Sequence, residues 1–275
     1  MESKVIFKSF SSGSCGNCYY LGLEDESGRH GVLIDAGVSP RRVKKELLAD
    51  GLSFDDVNAI LLTHDHLDHI RSLGSFCKHL CKPVWATEQL HKSLSRHFMT
   101  HEYISGCRNV LAENKWNEVV EGKIKVRYFV VPHDATQTVG FAICIGDTHY
   151  VHITDCGGMT QEAVQFCSQA DSVVLESNYD RQMLLNGPYT QELKSRILNG
   201  NGHLSNDDCA SAIKSFMHPG LKNLFLCHLS ENNNTPELAY ESAKTAISDN
   251  SNIRLQTLPR RTPSSLIILR KNSGR

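Results

Sequence analysis

The stretch Thr63-His64-Asp65-His66-Leu67-Asp68-His69 places three imidazoles and two carboxylates within seven residues. It follows the apolar run Val57-Asn58-Ala59-Ile60-Leu61-Leu62, which predicts a buried strand that ends at this cluster. Because His64 and His66 are two positions apart, their side chains project to the same side of an extended segment. Asp68 and His69 follow where the chain turns into a helix. A mixed set of His and Asp suits Zn, Mn or Fe, so the stretch predicts a divalent-metal site.

The spacing of His64, His66, Asp68 and His69 resembles the HxHxDH signature of the metallo-β-lactamase fold hydrolases. The resemblance implies an α/β fold, a four-layer αββα sandwich with two mixed sheets. It also implies three later ligands at strand ends, in the order His, Asp, His. The residues that fit this order, each just past an apolar run, are His133, Asp155 and His228.

Carried over by position, the resemblance implies two divalent metal ions, either Mn, Zn or Fe. One ion would be held by His64, His66 and His133, the other by Asp68, His69 and His228, with Asp155 bridging them. In such sites, ions about 3.5–4 Å apart lower the pKa of a shared water to near neutrality and generate hydroxide. A carboxylate suits the bridging position because its two oxygens can serve both ions. His149, His152 and His218 fit no position in this scheme.

The candidate catalytic residues are Asp68 and His203. Gly202-His203-Leu204-Ser205 predicts a helix start with Ser205 as N-cap. In that position, His203 and free helix N–H groups could meet a phosphate oxygen, and we expect His203 to bind phosphate or protonate the leaving oxygen. Asp134 either orients the His133 ring or is simply exposed.

The Gly/Ser-rich turn near the start of the chain has two interpretations. Its polar side chains either donate hydrogen bonds to a phosphate or only form a tight turn; they are Ser12, Ser14 and Asn17. Asn178 is a further residue that could line the cleft.

The remaining pattern alternates short apolar runs with helical segments, which favours two sheets between helices in a single domain spanning residues 1–275. The alternating pattern predicts a strand with Ile124, Val126, Tyr128 and Val130 on one face. No structure could be assigned to residues 88–118. Strands are predicted near residues 4–10, 19–21, 31–37, 57–62, 83–86, 123–131, 139–145, 149–153, 172–175, 221–227 and 265–269. Helices are predicted near residues 40–50, 160–169, 180–198, 206–217 and 236–247.

Composition limits the classes of function. The chain has 275 residues and a formal net charge of −1, so nucleic-acid binding would have to use a local basic patch or metal ions. The candidate basic patches are Arg41, Arg42, Lys44 and Lys45, or Arg260 and Arg261. The ten cysteines are scattered, which favours reduced thiols in a cytoplasmic protein. Neither a signal peptide nor an apolar run of about 20 residues is predicted, so we expect no membrane partner.

Several longer motifs are similar to one branch of these hydrolases, the WalJ (YycJ) family. The motifs run through residues 12–20, 33–37, 175–180, 187–189, 202–206 and 228–234. The resemblance implies a cytoplasmic phosphodiesterase that degrades DNA as a 5′→3′ exonuclease, with Mn as the working ion. Cys15 is a departure, since the family often has Ser there, but it is not one of the seven ligands. A small-molecule (cyclic) phosphodiesterase and a glyoxalase-type thiolester hydrolase are the alternatives.

Overall fold

The computed structural model describes residues 3–247 and 252–271. Within these residues the strands form two seven-stranded sheets. The first sheet contains β1 (Lys4–Ser11), β2 (Cys18–Asp25), β3 (Gly28–Ile34), β4 (Ala59–Leu61), β5 (Val84–Ala86), β6 (Arg108–Val110) and β14 (Ile267–Ile268). The second contains β7 (Asn117–Val120), β8 (Ile124–Val131), β9 (Thr138–Ile145), β10 (Thr148–Ile153), β11 (Ser172–Glu176), β12 (Asn223–Cys227) and β13 (Arg254–Thr257).

The α-helices connect these strands and cover the outer faces of the sheets. They are α1 (Pro40–Ala49), α2 (Leu67–Ile70), α3 (Leu73–Leu80), α4 (Glu88–Leu94), α5 (Gln161–Cys167), α6 (Arg181–Asn186), α7 (Gln191–Leu198), α8 (Asn206–Phe216) and α9 (Pro236–Lys244). Short 3₁₀ turns occupy Phe54–Asp56 and Ile104–Cys107. The predicted cap of α8 is confirmed, since Ser205 accepts from Asp208 N. Ser39 caps α1 in the same way by accepting from Arg42 N.

Both sheets change from antiparallel to parallel pairing along their width. In the first sheet, β14, β1, β2 and β3 pair antiparallel, whereas β3, β4, β5 and β6 pair parallel. In the second, β7 to β10 pair antiparallel, and β10 to β13 pair parallel. The carboxyl ends of parallel strands meet at one edge of a sheet, which is where this class of fold places its ligands.

Three apolar cores separate the layers. The middle core lies between the sheets, where the rings of Phe7 and Phe225 stack with centroids 5.1 Å apart. One outer core packs α1, α3 and α4 on the first sheet, and the other packs α5, α8 and α9 on the second. These layers confirm the predicted αββα sandwich.

Some local predictions needed correction. The face of β8 that carries Ile124 and Val126 is not buried along its whole length, since Val130 is 49% exposed. The core between the sheets includes Ile124 and Val126, with Tyr128 packed against it, and does not extend to Val130. Residues 88–118, which had no assigned structure, contain α4, a 3₁₀ turn, β6 and the start of β7. The polar strand β13 was not predicted.

Candidate metal centre

Three residues in or next to the predicted site lie directly after a strand and adopt the left-handed backbone conformation. Asp35 follows β3 with φ of 62°, Asp155 follows β10 with φ of 49°, and His228 follows β12 with φ of 53°. All three are buried. Such a conformation costs of order 1–3 kcal/mol in a non-glycine residue and persists where the surroundings hold it, most often at functional sites.

His64 lies beyond the end of β4 and is fully buried. Thr63 Oγ1 donates to the Asp35 carboxylate, which leaves Thr63 Oγ1 to accept from His64 Nδ1, 3.0 Å away. The other ring nitrogen, Nε2, is buried and has no hydrogen-bond partner among the residues described. An unsatisfied buried polar atom is costly, and a neutral imidazole nitrogen oriented in this way is suited to bind a metal ion. This atom therefore fits a divalent cation.

His64, His66 and His133 form the first triad, with one ligand atom of each lying within 4.8 Å of the others. His133 Nδ1 donates to Gly202 O at 2.6 Å, so its Nε2 is left facing His66 Nδ1 at 3.3 Å. His66 Nε2 in turn contacts the backbone O of Asp134 at 3.3 Å. Each outer nitrogen thus has a backbone acceptor, and the two inner nitrogens converge as ligands would.

Asp68, His69 and His228 form the second triad, again with ligand atoms within 4.8 Å. The Nε2 atoms of both histidines lie 3.5 Å from Asp68 Oδ2. On the far side of each ring, His69 Nδ1 donates to Asp35 Oδ2 at 2.7 Å, and His228 Nδ1 lies 3.2 Å from Glu176 Oε1. Buried carboxylates therefore hold both rings with Nε2 directed inward.

Asp155 lies between the triads. Its Oδ2 is 3.1 Å from His69 Nε2, whereas its Oδ1 is 3.7 Å from His133 Nε2 and 3.6 Å from His228 Nε2. The two oxygens thus face members of both triads. The structure brings all seven predicted ligand residues together. Besides the two triads, potential ligand atoms also cluster in His64, His69 and Asp155, and in Asp155, Glu176, His203 and His228.

The electrostatics of the centre favour bound positive charge. Burial lowers the pKa of His64, and the neighbouring His69 lowers it further. Burial also opposes protonation of His69 and His228. The carboxylates Asp35 and Asp155 outweigh burial at His69 and raise its pKa well above the usual value. Asp155, with Asp68 and Glu176, outweighs it at His228 and raises its pKa to about 10. Protons on these rings compensate the buried carboxylates, and metal cations can take their place.

Three residues around the ligands were given no role from the sequence or only an open one. Asp35 and Glu176 are fully buried acids at the ends of apolar strands, the same signal that identified Asp155. Asn17 had been considered for phosphate binding. Its side chain is buried, and its Nδ2 lies 3.0 Å from Asp68 Oδ2 and 2.9 Å from His69 Nε2, so it contacts two of the predicted ligands.

His203 reaches the same centre from the loop before α8. Its Nδ1 donates to Glu176 Oε1 at 2.7 Å and lies 3.7 Å from Asp155 Oδ1. Burial lowers the pKa of His203, but the Glu176 charge outweighs this effect and raises it overall. The expected free helix N–H groups are absent at the three positions Leu204, Asn206 and Asp208, which donate to Glu176, Tyr179 and Ser205, respectively. These three N–H groups are therefore not available to a phosphate oxygen.

The other polar candidates differ in whether they face the cavity. Ser12 is buried and accepts from His228 N at 2.9 Å, so it supports the backbone rather than facing a ligand. Ser14 and Asn178 line the cavity over the centre. Asp134 is partly exposed, forms an ion pair with Arg196, and has Oδ1 3.6 Å from His133 Nε2.

Histidines outside the scheme lie apart from these groups. His152 is buried with Nδ1 3.0 Å from Tyr150 OH, and burial lowers its pKa to about 3. His218 Nε2 contacts Ala170 O at 3.0 Å. Neither these two nor His149 belongs to a ligand cluster among the residues described.

A cavity of about 250 Å³ opens over the centre. Its floor includes His66, Asp68, Asp155, His203 and His228, and one wall is formed by Tyr189, Leu193, Arg196 and Ile197. A concave site with converging polar groups is typical of a ligand-binding site. The described helices fall short of the length and hydrophobicity of a transmembrane span.

Residues 30–228 match the Beta-lactamase superfamily domain. The chain is 31% identical over 240 residues to a protein of Streptococcus pneumoniae serotype 2 strain D39 named exodeoxyribonuclease WalJ, covering 86% of this chain and 87% of that one. It is 32% identical over 248 residues to exodeoxyribonuclease YycJ of Bacillus anthracis, covering 88% and 89%.

A similar solved structure is that of the metallo-beta-lactamase fold protein YhfI from Bacillus subtilis. The TM-score is 0.67 at 16% identity, and the match covers 95% of this chain and 99% of that one. At this identity the likeness concerns the fold, which agrees with the two-sheet sandwich described above.

Proposed function

The chain belongs to the beta-lactamase superfamily and is a metal-dependent hydrolase, and from that premise we propose that it is a phosphodiesterase that degrades DNA from its 5′ end. The observation that carries the proposal is the convergence of two ligand triads on Asp155 beneath an open cavity. The choice of DNA is supported by two relatives that are named exodeoxyribonucleases.

The proposed cofactors are two divalent ions, either Mn, Zn or Fe. His64, His66 and His133 would hold one, Asp68, His69 and His228 the other, and Asp155 would be shared. When bound, such ions supply Lewis-acid stabilisation of phosphoryl charge and an activated water. The partnerless Nε2 of His64 and the inward Nε2 atoms of His69 and His133 support this assignment.

The protein's own residues would place the phosphate and move a proton. His203 lines the cavity, and its Nδ1 is engaged by Glu176, so Nε2 is the nitrogen left to meet substrate. We assign His203 the role of binding the scissile phosphate or protonating the leaving oxygen. Asp68 also lines the cavity, which fits a catalytic role beside its role as ligand.

The test compares substrates with Mn and with Zn. We expect release of nucleotides from linear duplex DNA and no cleavage of closed circles. Phosphorothioate linkages at the 5′ end should block degradation, whereas the same linkages at the 3′ end should not. Turnover of a cyclic phosphate alone, or of a thiolester alone, would contradict the proposal.

Two variants control this experiment. Asp155→Ala removes the shared carboxylate and should abolish activity on every substrate. His203→Gln retains the ligand set and should lower kcat by about 10²–10⁴-fold if His203 transfers a proton. The proton-transfer role would be contradicted by a His203→Gln protein that keeps its kcat and shows only a raised KM.

A further inference from the structure

Arginines from three separate segments gather around the turn that contains Ser14, a residue that lines the cavity. Arg42 lies on α1, Arg71 follows α2, and Arg260 and Arg261 follow β13. We name this set, Arg42, Arg71, Arg260 and Arg261, the arginine rim. It contains residues of both candidate basic patches named in the sequence analysis. Arg71 belongs to neither of those patches.

The arginine rim is held against the Gly/Ser turn by hydrogen bonds. Arg42 Nη2 donates to Phe10 O at 3.2 Å and also to the backbone O of Arg261. Arg71 Nη1 donates to Cys15 O at 3.3 Å. The backbone O of Arg260 accepts from Ser11 Oγ at 2.7 Å. The guanidinium groups of Arg42 and Arg71, and the backbone of Arg260 and Arg261, are thus held near this turn.

The surface is continuous from the metal centre to the arginine rim. Ser14 lines the cavity over the centre and also a small hollow bounded by Arg260 and Arg261. Leu229 likewise lines the cavity and a second hollow of about 330 Å³ that both arginines border. A strand that leaves the cavity on this side would therefore pass the arginine rim.

The arginine rim carries an excess of positive charge. Arg261 pairs with Glu231, and its side chain is still 61% exposed. Arg42, Arg71 and Arg260 form no ion pair within residues 3–247 and 252–271, and their guanidinium groups donate to backbone oxygens there. Since the whole chain has a formal charge of −1, this excess is local.

Such a surface fits a polyanion. Guanidinium groups bind phosphate through charge-assisted, often bidentate hydrogen bonds. A ligand with a single phosphodiester would bind entirely within the cavity. Cations outside the cavity therefore suit a ligand that carries additional phosphates. We propose that the arginine rim binds the backbone phosphates of the DNA strand beyond the scissile bond. This proposal rests on the proposed function.

The test removes two exposed cations and retains most of their volume. The double variant Arg71→Gln/Arg261→Gln is compared with Arg254→Gln/Arg270→Gln, which makes the same charge change where β13 begins, at the opposite end of the second sheet from the metal centre. Binding of a fluorescein-labelled oligonucleotide is measured by anisotropy over a salt series. Hydrolysis of the small ester thymidine 5′-p-nitrophenyl phosphate is measured in parallel.

For Arg71→Gln/Arg261→Gln we expect Kd for the oligonucleotide to rise by about tenfold for each phosphate that the variant no longer binds. The slope of log K against log salt should fall by about 0.7–0.9 for each such phosphate. The ratio of DNA turnover to ester turnover should also fall. In Arg254→Gln/Arg270→Gln, the Kd, the salt slope and this ratio should all keep their wild-type values. Arg71→Lys/Arg261→Lys keeps the charge and should recover most of the salt slope.

The proposal would be overturned if both glutamine variants bound the oligonucleotide with the same affinity and the same salt slope. This result is separate from the fate of the proposed function, which is read from wild-type degradation of DNA. If the wild-type protein bound DNA through the arginine rim but did not degrade it, the phosphate-binding site would be supported and the proposed exonuclease activity would be contradicted. If the wild-type protein neither bound nor degraded DNA, both the phosphate-binding site and the exonuclease activity would be contradicted.

Discussion

At the scale of single residues, Asp35 has a position that makes it more than a buried acid. Its Oδ2 accepts from His69 Nδ1 at 2.7 Å, and its Oδ1 accepts from Thr63 N at 2.9 Å. One carboxylate thus sets the orientation of a proposed ligand and holds the backbone next to another, His64. Partners of this kind fix the tautomer of a ligating imidazole and raise its basicity.

We expect Asp35→Asn to lower metal affinity by about 10–100-fold, because the amide keeps the shape of the side chain but loses its charge. Metal titration monitored by calorimetry would measure the change. Asp171→Asn is the matched control, since Asp171 is also buried and accepts from His149 N at 2.8 Å at the opposite end of β11 from the site. Wild-type affinity in Asp35→Asn would contradict the role assigned to this carboxylate.

At the scale of elements, the junction between the end of β3 and α2 is held by backbone contacts around Gly37. Gly37 N donates to Asn17 O at 2.8 Å, and Asn17 N donates to Asp68 O at 2.8 Å. A Cβ at position 37 would lie 1.7 Å from Asp68 O and 2.6 Å from Asn17 N. Only glycine allows these two segments to approach so closely, and the approach positions Asp68.

Gly37→Ala should therefore displace Asp68 and reduce activity by about 100-fold, the effect expected of a shift near 1 Å at a reacting centre. Gly106→Ala is the control, because a Cβ there meets nothing within 4 Å. Hydrolysis rate and thermal midpoint would be measured for both variants. If Gly37→Ala kept wild-type activity, the backbone contact would not position Asp68 as inferred.

Prediction from the sequence succeeded where a local pattern carries the information. Runs such as Leu224-Phe225-Leu226 end in a ligand-type residue, and β12 followed by His228 was predicted for that reason. It failed for β13, a half-buried strand of sequence Arg-Leu-Gln-Thr, because its pairing with β12 is a tertiary contact. Glu176 was given no role because its contacts with His203 and His228 join residues 27 and 52 positions away.

At the scale of the whole molecule, the metal centre joins the two halves of the sandwich. His64, His66, Asp68 and His69 follow a strand of the first sheet, whereas His133, Asp155 and His228 follow strands of the second. Each ligand triad takes residues from both halves. Bound ions would therefore connect the sheets at their open edge, beyond the end of the core between them.

This arrangement predicts that metal removal lowers stability as well as activity. An ion that binds only the folded state, at about 100 times its Kd, stabilises by about 2.7 kcal/mol. For a chain of this size that amounts to about 5–10 °C in thermal midpoint. We expect addition of Mn or Zn to chelator-treated protein to raise the midpoint by this amount, as measured by calorimetry.

His66→Ala and His228→Ala, which remove one ligand from each half, should both reduce the rise, because each triad needs residues from both sheets. If the rise persisted undiminished in either variant, the ions would be bound within one half of the sandwich, and the connection between the sheets would be wrong.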